Sequence, residues 1–88
     1  MKTVFLSEFG RDIAKIRLQA VEDSIAAIIE QAESAQDLTD LANLKKLKGF
    51  KAAYRIRSGD YRIGVFIEND TVEFARVVHR KDIYKVFS

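Results

Sequence analysis

The sequence predicts a single α+β domain over residues 1–88: an N-terminal strand, a two-helix hairpin, a three-stranded antiparallel meander and a short C-terminal helix. Three features predict it. Apolar residues recur at spacings of three and four from Phe9 to Ala32, as on one face of a helix. They alternate with polar residues from Tyr54 to Val78, as on a sheet with one buried face. Gly59-Asp60 and Asn69-Asp70 punctuate the alternating stretch where hairpin loops belong.

Thr3 to Leu6 is a short apolar run suited to a first strand, and Ser7 is placed to cap the helix that follows, with Glu8 in its first turn. Phe9, Ile13 and Ile16 mark one helical stripe; Leu18, Val21, Ile25, Ile28, Ile29 and Ala32 mark a second. At 3.6 residues per turn the stripes differ in phase by roughly 130°. One straight helix cannot bury both, so the spacing predicts a break near Arg17 to Gln19. Ser34 to Asn43 reads as a connector with a helical turn. Leu44-Lys45-Lys46-Leu47-Lys48-Gly49 suits an extended segment or a turn equally well, and its lysines, with Lys51, either extend a basic surface or keep the approach solvated.

Gly supplies the positive φ that a primed two-residue loop requires, and Asp tolerates it. A Gly59-Asp60 loop pairs Ser58 with Tyr61, Arg57 with Arg62, Ile56 with Ile63, Arg55 with Gly64 and Tyr54 with Val65. Alternation then sends Tyr54, Ile56, Ile63, Val65 and Ile67 to an apolar face. Arg55, Arg57, Arg62 and Phe66 go to the other, with Gly64 leaving open floor. A three-residue loop would shift the register by one. Like charges directly opposite cost on the order of 0.2–1 kcal/mol, so such a face is hard to justify by stability and easy to justify as a phosphate cradle. Asn69-Asp70 leads into Thr71 to Val78, which pairs Val65 with Phe74, Gly64 with Ala75 and Arg62 with Val77, and puts His79 on the arginine face. Arg76 breaks the alternation, through either a sheet edge or a bulge between Phe74 and Val78. Arg80 to Val86 has room for one or two helical turns, bringing Tyr84 back over the sheet beside Arg80.

Composition narrows the function. Net charge is +2, but residues 1–43 carry a balance of −4 and residues 44–88 a balance of +6. The basic half coincides with the hairpin, the electrostatic footprint of a polyanion binder. There is no cysteine and one histidine, which argues against a disulfide framework and a zinc site. The apolar runs around Ile25 to Ile29 and Val65 to Ile67 are too short to span a bilayer, and Glu8 interrupts any signal-peptide core. These features predict a soluble cytoplasmic protein with no membrane partner.

Three blocks, Leu44-Lys45-Lys46-Leu47-Lys48-Gly49, Tyr54 to Ile63, and His79-Arg80-Lys81-Asp82-Ile83-Tyr84, resemble the signature blocks of the RelE/ParE superfamily of type II toxins. The resemblance covers nearly the whole chain. It implies a microbial-ribonuclease-like fold and neutralisation by a cognate antitoxin; no cofactor or metal is expected. The RelE branch cuts mRNA in the ribosomal decoding site, which implies ribosome and mRNA as partners; the ParE branch poisons DNA gyrase without being a nuclease. Matching block by block carries the RelE catalytic roles onto Arg55, Arg57, Arg62, Arg80 and Tyr84. Arg55 and Arg57 stand where well-studied members have lysine, which retains charge but excludes proton transfer, because Arg does not deprotonate in proteins.

The resulting expectation is a ribosome-dependent mRNA interferase. Catalytic roles fall to Arg62 and Arg80 on the scissile phosphate and Tyr84 as general base. Substrate contacts fall to Arg55 and Arg57 on the phosphate flank and to His79 and Phe66, the latter stacking a base. A phenol beside guanidinium groups can accept a proton, because a neighbouring cation favours the phenolate; Tyr84 could alternatively pack as a lid or stack on a base. His79 is open to an acid–base role, a structural one, or the orienting of Arg80. The alternatives to a nuclease are a ParE-like gyrase inhibitor and a non-catalytic nucleic-acid-binding module.

Overall fold

The structure, a computed structural model, describes residues 1–87. Strand β1 (Lys2–Phe5) leads into helices α1 (Ser7–Lys15) and α2 (Gln19–Ser34), then a 3-10 turn at Leu38–Asp40. Four further strands follow, β2 (Leu44–Lys46), β3 (Ala53–Ser58), β4 (Tyr61–Glu68) and β5 (Thr71–His79), and helix α3 (Ile83–Val86) ends the fold. The sheet order is β1-β5-β4-β3-β2, antiparallel from β2 to β5, with β1 added parallel to β5. The meander expected from the sequence is therefore extended at one edge by the lysine segment and closed at the other by the N-terminal strand.

The helix break falls where the two stripes go out of phase. Phe9, Ile16, Ile25 and Ala32 are buried together against Ile56, Ile63, Val65, Val72, Phe74 and Val77, with Tyr54 and Tyr61 packed at the margin. Two helix details differ from expectation. Leu6, not Ser7, is the N-cap of α1, and Ser7 turns its hydroxyl to Glu8. Leu18 leaves its stripe: it flanks α2 in extended backbone and is 57% exposed.

Both hairpin loops have the backbone their residues favour. Gly59 has φ +59°, and the β3–β4 register matches the expected pairing from Tyr54 with Val65 to Ser58 with Tyr61. Asn69 and Asp70 both have positive φ, as a type I′ turn requires. In β5 the expected register holds only as far as Phe74. A bulge at Ala75 then makes Gly64 face Arg76, Arg62 face Val78 and Tyr61 face His79. The extra residue reconciles Arg76 with the pattern: Val77 returns to the core while Ala75 and Val78 join a second cluster on the opposite face. Arg76 Nε donates to Asp12 Oδ2 at 2.8 Å, and the same oxygen accepts the Val77 N–H at 2.8 Å, just past the last β1–β5 pair. Asp12 thus closes the stretch of strand edge that β1 does not reach, and its hydrogen bond holds the Arg76 pKa above the ordinary value.

The second cluster lies under the C-terminal helix: Leu47, Ala53, Ala75, Ile83 and Phe87, flanked by Phe50, Phe66 and Val78. Its centre is Gly64, where a Cβ would overlap the Phe87 ring. The floor expected to be open is filled by that ring, so Gly64 is required by close approach. Gly64→Ala should therefore destabilise the protein by about 1–3 kcal/mol through overpacking. In a Phe87→Ala background the same substitution should cost less than half as much, a coupling that urea denaturation of the four variants in the cycle measures.

Candidate active site

The arginine row is assembled by strand register and held from the turn that precedes β2. Arg57 stands opposite Arg62, Arg55 opposite Gly64, and Lys45 opposite Arg55, so these residues share one face. Asn43, with φ +61°, ties the row together. Its carbonyl accepts from Arg55 Nη1 at 2.9 Å and from the Arg57 main-chain N–H at 3.2 Å, and its side-chain oxygen accepts from Arg57 Nη2 at 3.4 Å. Arg62 is anchored at the hairpin end, where Nη1 donates to the carbonyls of Gly59 at 2.8 Å and Tyr61 at 2.9 Å. Arg80 enters from beyond β5, its N–H donating to the Asp60 carbonyl at 2.8 Å.

These groups lie near enough to act on one another electrostatically. Partial burial lowers the Arg62 pKa from its ordinary value, and the positive charges of Arg55, Arg57 and Arg80 lower it further, against a single opposing contribution from Asp60. Three guanidinium groups thus act on a fourth. None of the four belongs to an ion pair among the described residues, where Arg76–Asp12 and Lys85–Asp82 are the pairs found. Every guanidinium hydrogen bond made by Arg55, Arg57 and Arg62 goes to a neutral oxygen. Such a cluster is short of an anion and retains donors to hold one.

Tyr84 sits on α3, 59% exposed, and is not turned into the interior; Phe87 takes that place. Tyr84 lines a cleft of about 370 Å³ with Lys45, Lys46, Leu47 and Lys48. Lys46 is bound within its own loop, donating to the carbonyls of Leu47 and Phe50 and lying 5.5 Å from the Tyr54 ring centre. Lys45 belongs both to this cleft and, by register, to the arginine row.

One expected placement is corrected. The bulge moves His79 to the helix side of the sheet, where its ring meets Tyr61 edge-on at 5.9 Å. His79 Nδ1 accepts the Lys81 N–H at 3.2 Å, so the ring holds the turn that presents Arg80. Phe66 lies on the arginine side as expected, half-buried, with its ring 5.5 Å from that of Phe87. Asn43 was missed, and Lys45 was left between a basic surface and a solvated approach, because Leu44-Lys45-Lys46 has no alternation long enough to fix a strand; pairing with β3 supplies the register.

Residues 4–84 match the family model of the ParE toxin of type II toxin–antitoxin systems, parDE. The chain belongs to the RelE/ParE superfamily of type II toxins. This toxin is 41% identical over 88 residues to Toxin RelE3 of Methanocaldococcus jannaschii, with 99% of each chain covered. It superposes on a chain of the RelB–RelE antitoxin–toxin complex from Methanococcus jannaschii with a TM-score of 0.80 at 36% identity, covering 97% of this toxin and 99% of that chain. A chain of the RelBE2 complex from Mycobacterium tuberculosis aligns at 0.62 and 27% identity, covering 90% and 96%. The isolated E. coli RelE toxin, at 0.64 and 18%, shares the fold. No helix among the described residues is long and apolar enough to cross a membrane.

The paired arginines make a prediction about stability. Arg57→Gln should stabilise the toxin by about 0.2–1 kcal/mol at low ionic strength, because Arg57 and Arg62 oppose each other directly. The gain should vanish near 1 M salt, where the Debye length falls to about 3 Å. Thermal unfolding across a salt series checks both parts.

Proposed function

We propose that this toxin is a RelE-like endoribonuclease that cleaves ribosome-bound mRNA and is neutralised by a cognate antitoxin. The observation that supports this most strongly is the excess positive charge around Arg62, where Arg55, Arg57 and Arg80 outweigh Asp60 and none of the four forms an ion pair among the described residues. The antitoxin follows from relatives solved as antitoxin–toxin complexes.

Cleavage proceeds by attack of a ribose 2′-OH on the adjacent phosphate. The 2′-O–P bond forms, the P–O5′ bond breaks, and a 2′,3′-cyclic phosphate is left. Negative charge grows on the non-bridging oxygens, and donors fixed in advance stabilise it most in the transition state. Arg62, anchored on the hairpin loop, and Arg80, held beside that loop, take the scissile phosphate; Arg55 and Arg57, braced by Asn43, take its flank. Tyr84, open to solvent at the cleft mouth, receives the 2′-OH proton. Phe66 supports the sheet under α3 and His79 positions the turn before Arg80.

Arg62→Ala should lower kcat about 10²–10³-fold, the cost typical of losing one oxyanion donor. Tyr84→Phe should lower kcat by about 10²–10⁴-fold with KM within a factor of about three, since the ring and its stacking survive while the proton acceptor is lost. Primer-extension kinetics on programmed ribosomes measures both. The matching family model carries the ParE name, which favours gyrase inhibition as the second reading. Loss of supercoiling activity with intact transcripts on induction would replace the nuclease reading with that one.

A further inference from the structure

Two protons move during this cleavage, and the guanidinium array can move neither, because Arg does not deprotonate in proteins. Tyr84 accounts for one transfer. The other must reach the 5′-oxygen as it leaves. His79 lies across the sheet on the helix side, with Nδ1 occupied by the Lys81 N–H. Three lysines share the Tyr84 cleft. Lys46 is spent on the carbonyls of Leu47 and Phe50. Lys48 lies beyond the end of β2, with no partner in the β2–β3 ladder. Lys45 remains. It pairs with Arg55 across the ladder, so its side chain extends the row that holds phosphate while also lining the cleft of Tyr84. It is exposed, and among the described residues its ammonium enters no hydrogen bond or ion pair.

We propose that Lys45 is the general acid of the cleavage, the catalytic residue that protonates the leaving 5′-oxygen. The inference rests on the nuclease reading above. In the step, the 2′-oxygen gives up its proton to the general base, the role proposed above for Tyr84, and bonds to phosphorus. The P–O5′ bond breaks with its electron pair on oxygen, and the Lys45 ammonium supplies the proton that makes it a hydroxyl. Lys45 ends as a neutral amine and the base ends protonated, and exchange with water restores both. An ammonium on the edge strand thereby does what Arg55 and Arg57 cannot.

The test compares two messages on programmed ribosomes, one native and one with sulfur replacing the 5′-bridging oxygen at the cleavage site. A thiolate leaves without being protonated, so the second message needs no general acid. Lys45→Arg and Lys45→Met should each cut the native message about 10²–10⁴-fold more slowly than the parent toxin, yet cut the sulfur message within about tenfold of the parent rate. Lys48→Met, by contrast, should affect both messages equally. Equal defects of the Lys45 variants on both messages would overturn the proposal, as would a Lys45→Arg toxin at full rate on the native one, since charge alone would then suffice. If the parent toxin cut neither message, the nuclease reading itself would fall, and the general acid with it.

Discussion

The pairing of Arg57 with Arg62 across the β3–β4 hairpin is the constraint from which the site follows. Left to themselves the two guanidiniums would separate. They are held opposite because the alternate residues, Ile56 against Ile63 and Tyr54 against Val65, pack into or onto the main core, and a slip of one residue would expose that whole face. Burying an aliphatic side chain contributes about 1.5–3 kcal/mol, well above the repulsion of one exposed like-charge pair. The apolar face of the sheet therefore holds in place a charged face that would not assemble unaided.

The other parts are placed around that pair by small devices. Asn43 takes a left-handed backbone conformation and offers both of its oxygens to Arg55 and Arg57. The bulge at Ala75 changes which residues of β5 face the hairpin, sending Val78 to the arginine side and His79 away from it. Phe87 seats on Gly64 and fixes α3, which sets Tyr84 at the mouth of the lysine cleft. Gly64 thus links the two faces: a residue without a side chain on the charged face lets the C-terminal ring dock there, and docking fixes the helix that carries Tyr84.

Much of this was legible in the sequence where local chemistry decides geometry. Gly59-Asp60 sets the hairpin register, and the phase difference between the Phe9 and Ile25 stripes sets the helix break. What escaped was non-local. The bulge is signalled only by Arg76 disrupting the alternation, and choosing it over an edge position requires Asp12, which is 64 residues away in sequence. The β2 strand is three residues long and paired on one side alone, so no periodicity could fix it or place Lys45 beside Arg55. The filling of the Gly64 floor depends on the chain's end folding back over the sheet.

The salt dependence of binding to a short RNA with a 2′-O-methyl group at the cleavage position tests the central claim most directly. For single strands the slope of log K against log salt falls by about 0.7 for each phosphate that the protein no longer neutralises. Replacing Arg55, Arg57, Arg62 or Arg80 singly with Gln should reduce the slope by that amount, whereas replacing Lys15 on α1 should leave it unchanged. A slope indifferent to all four arginines would contradict the account, because the clustered charge would then not be a grip on phosphate.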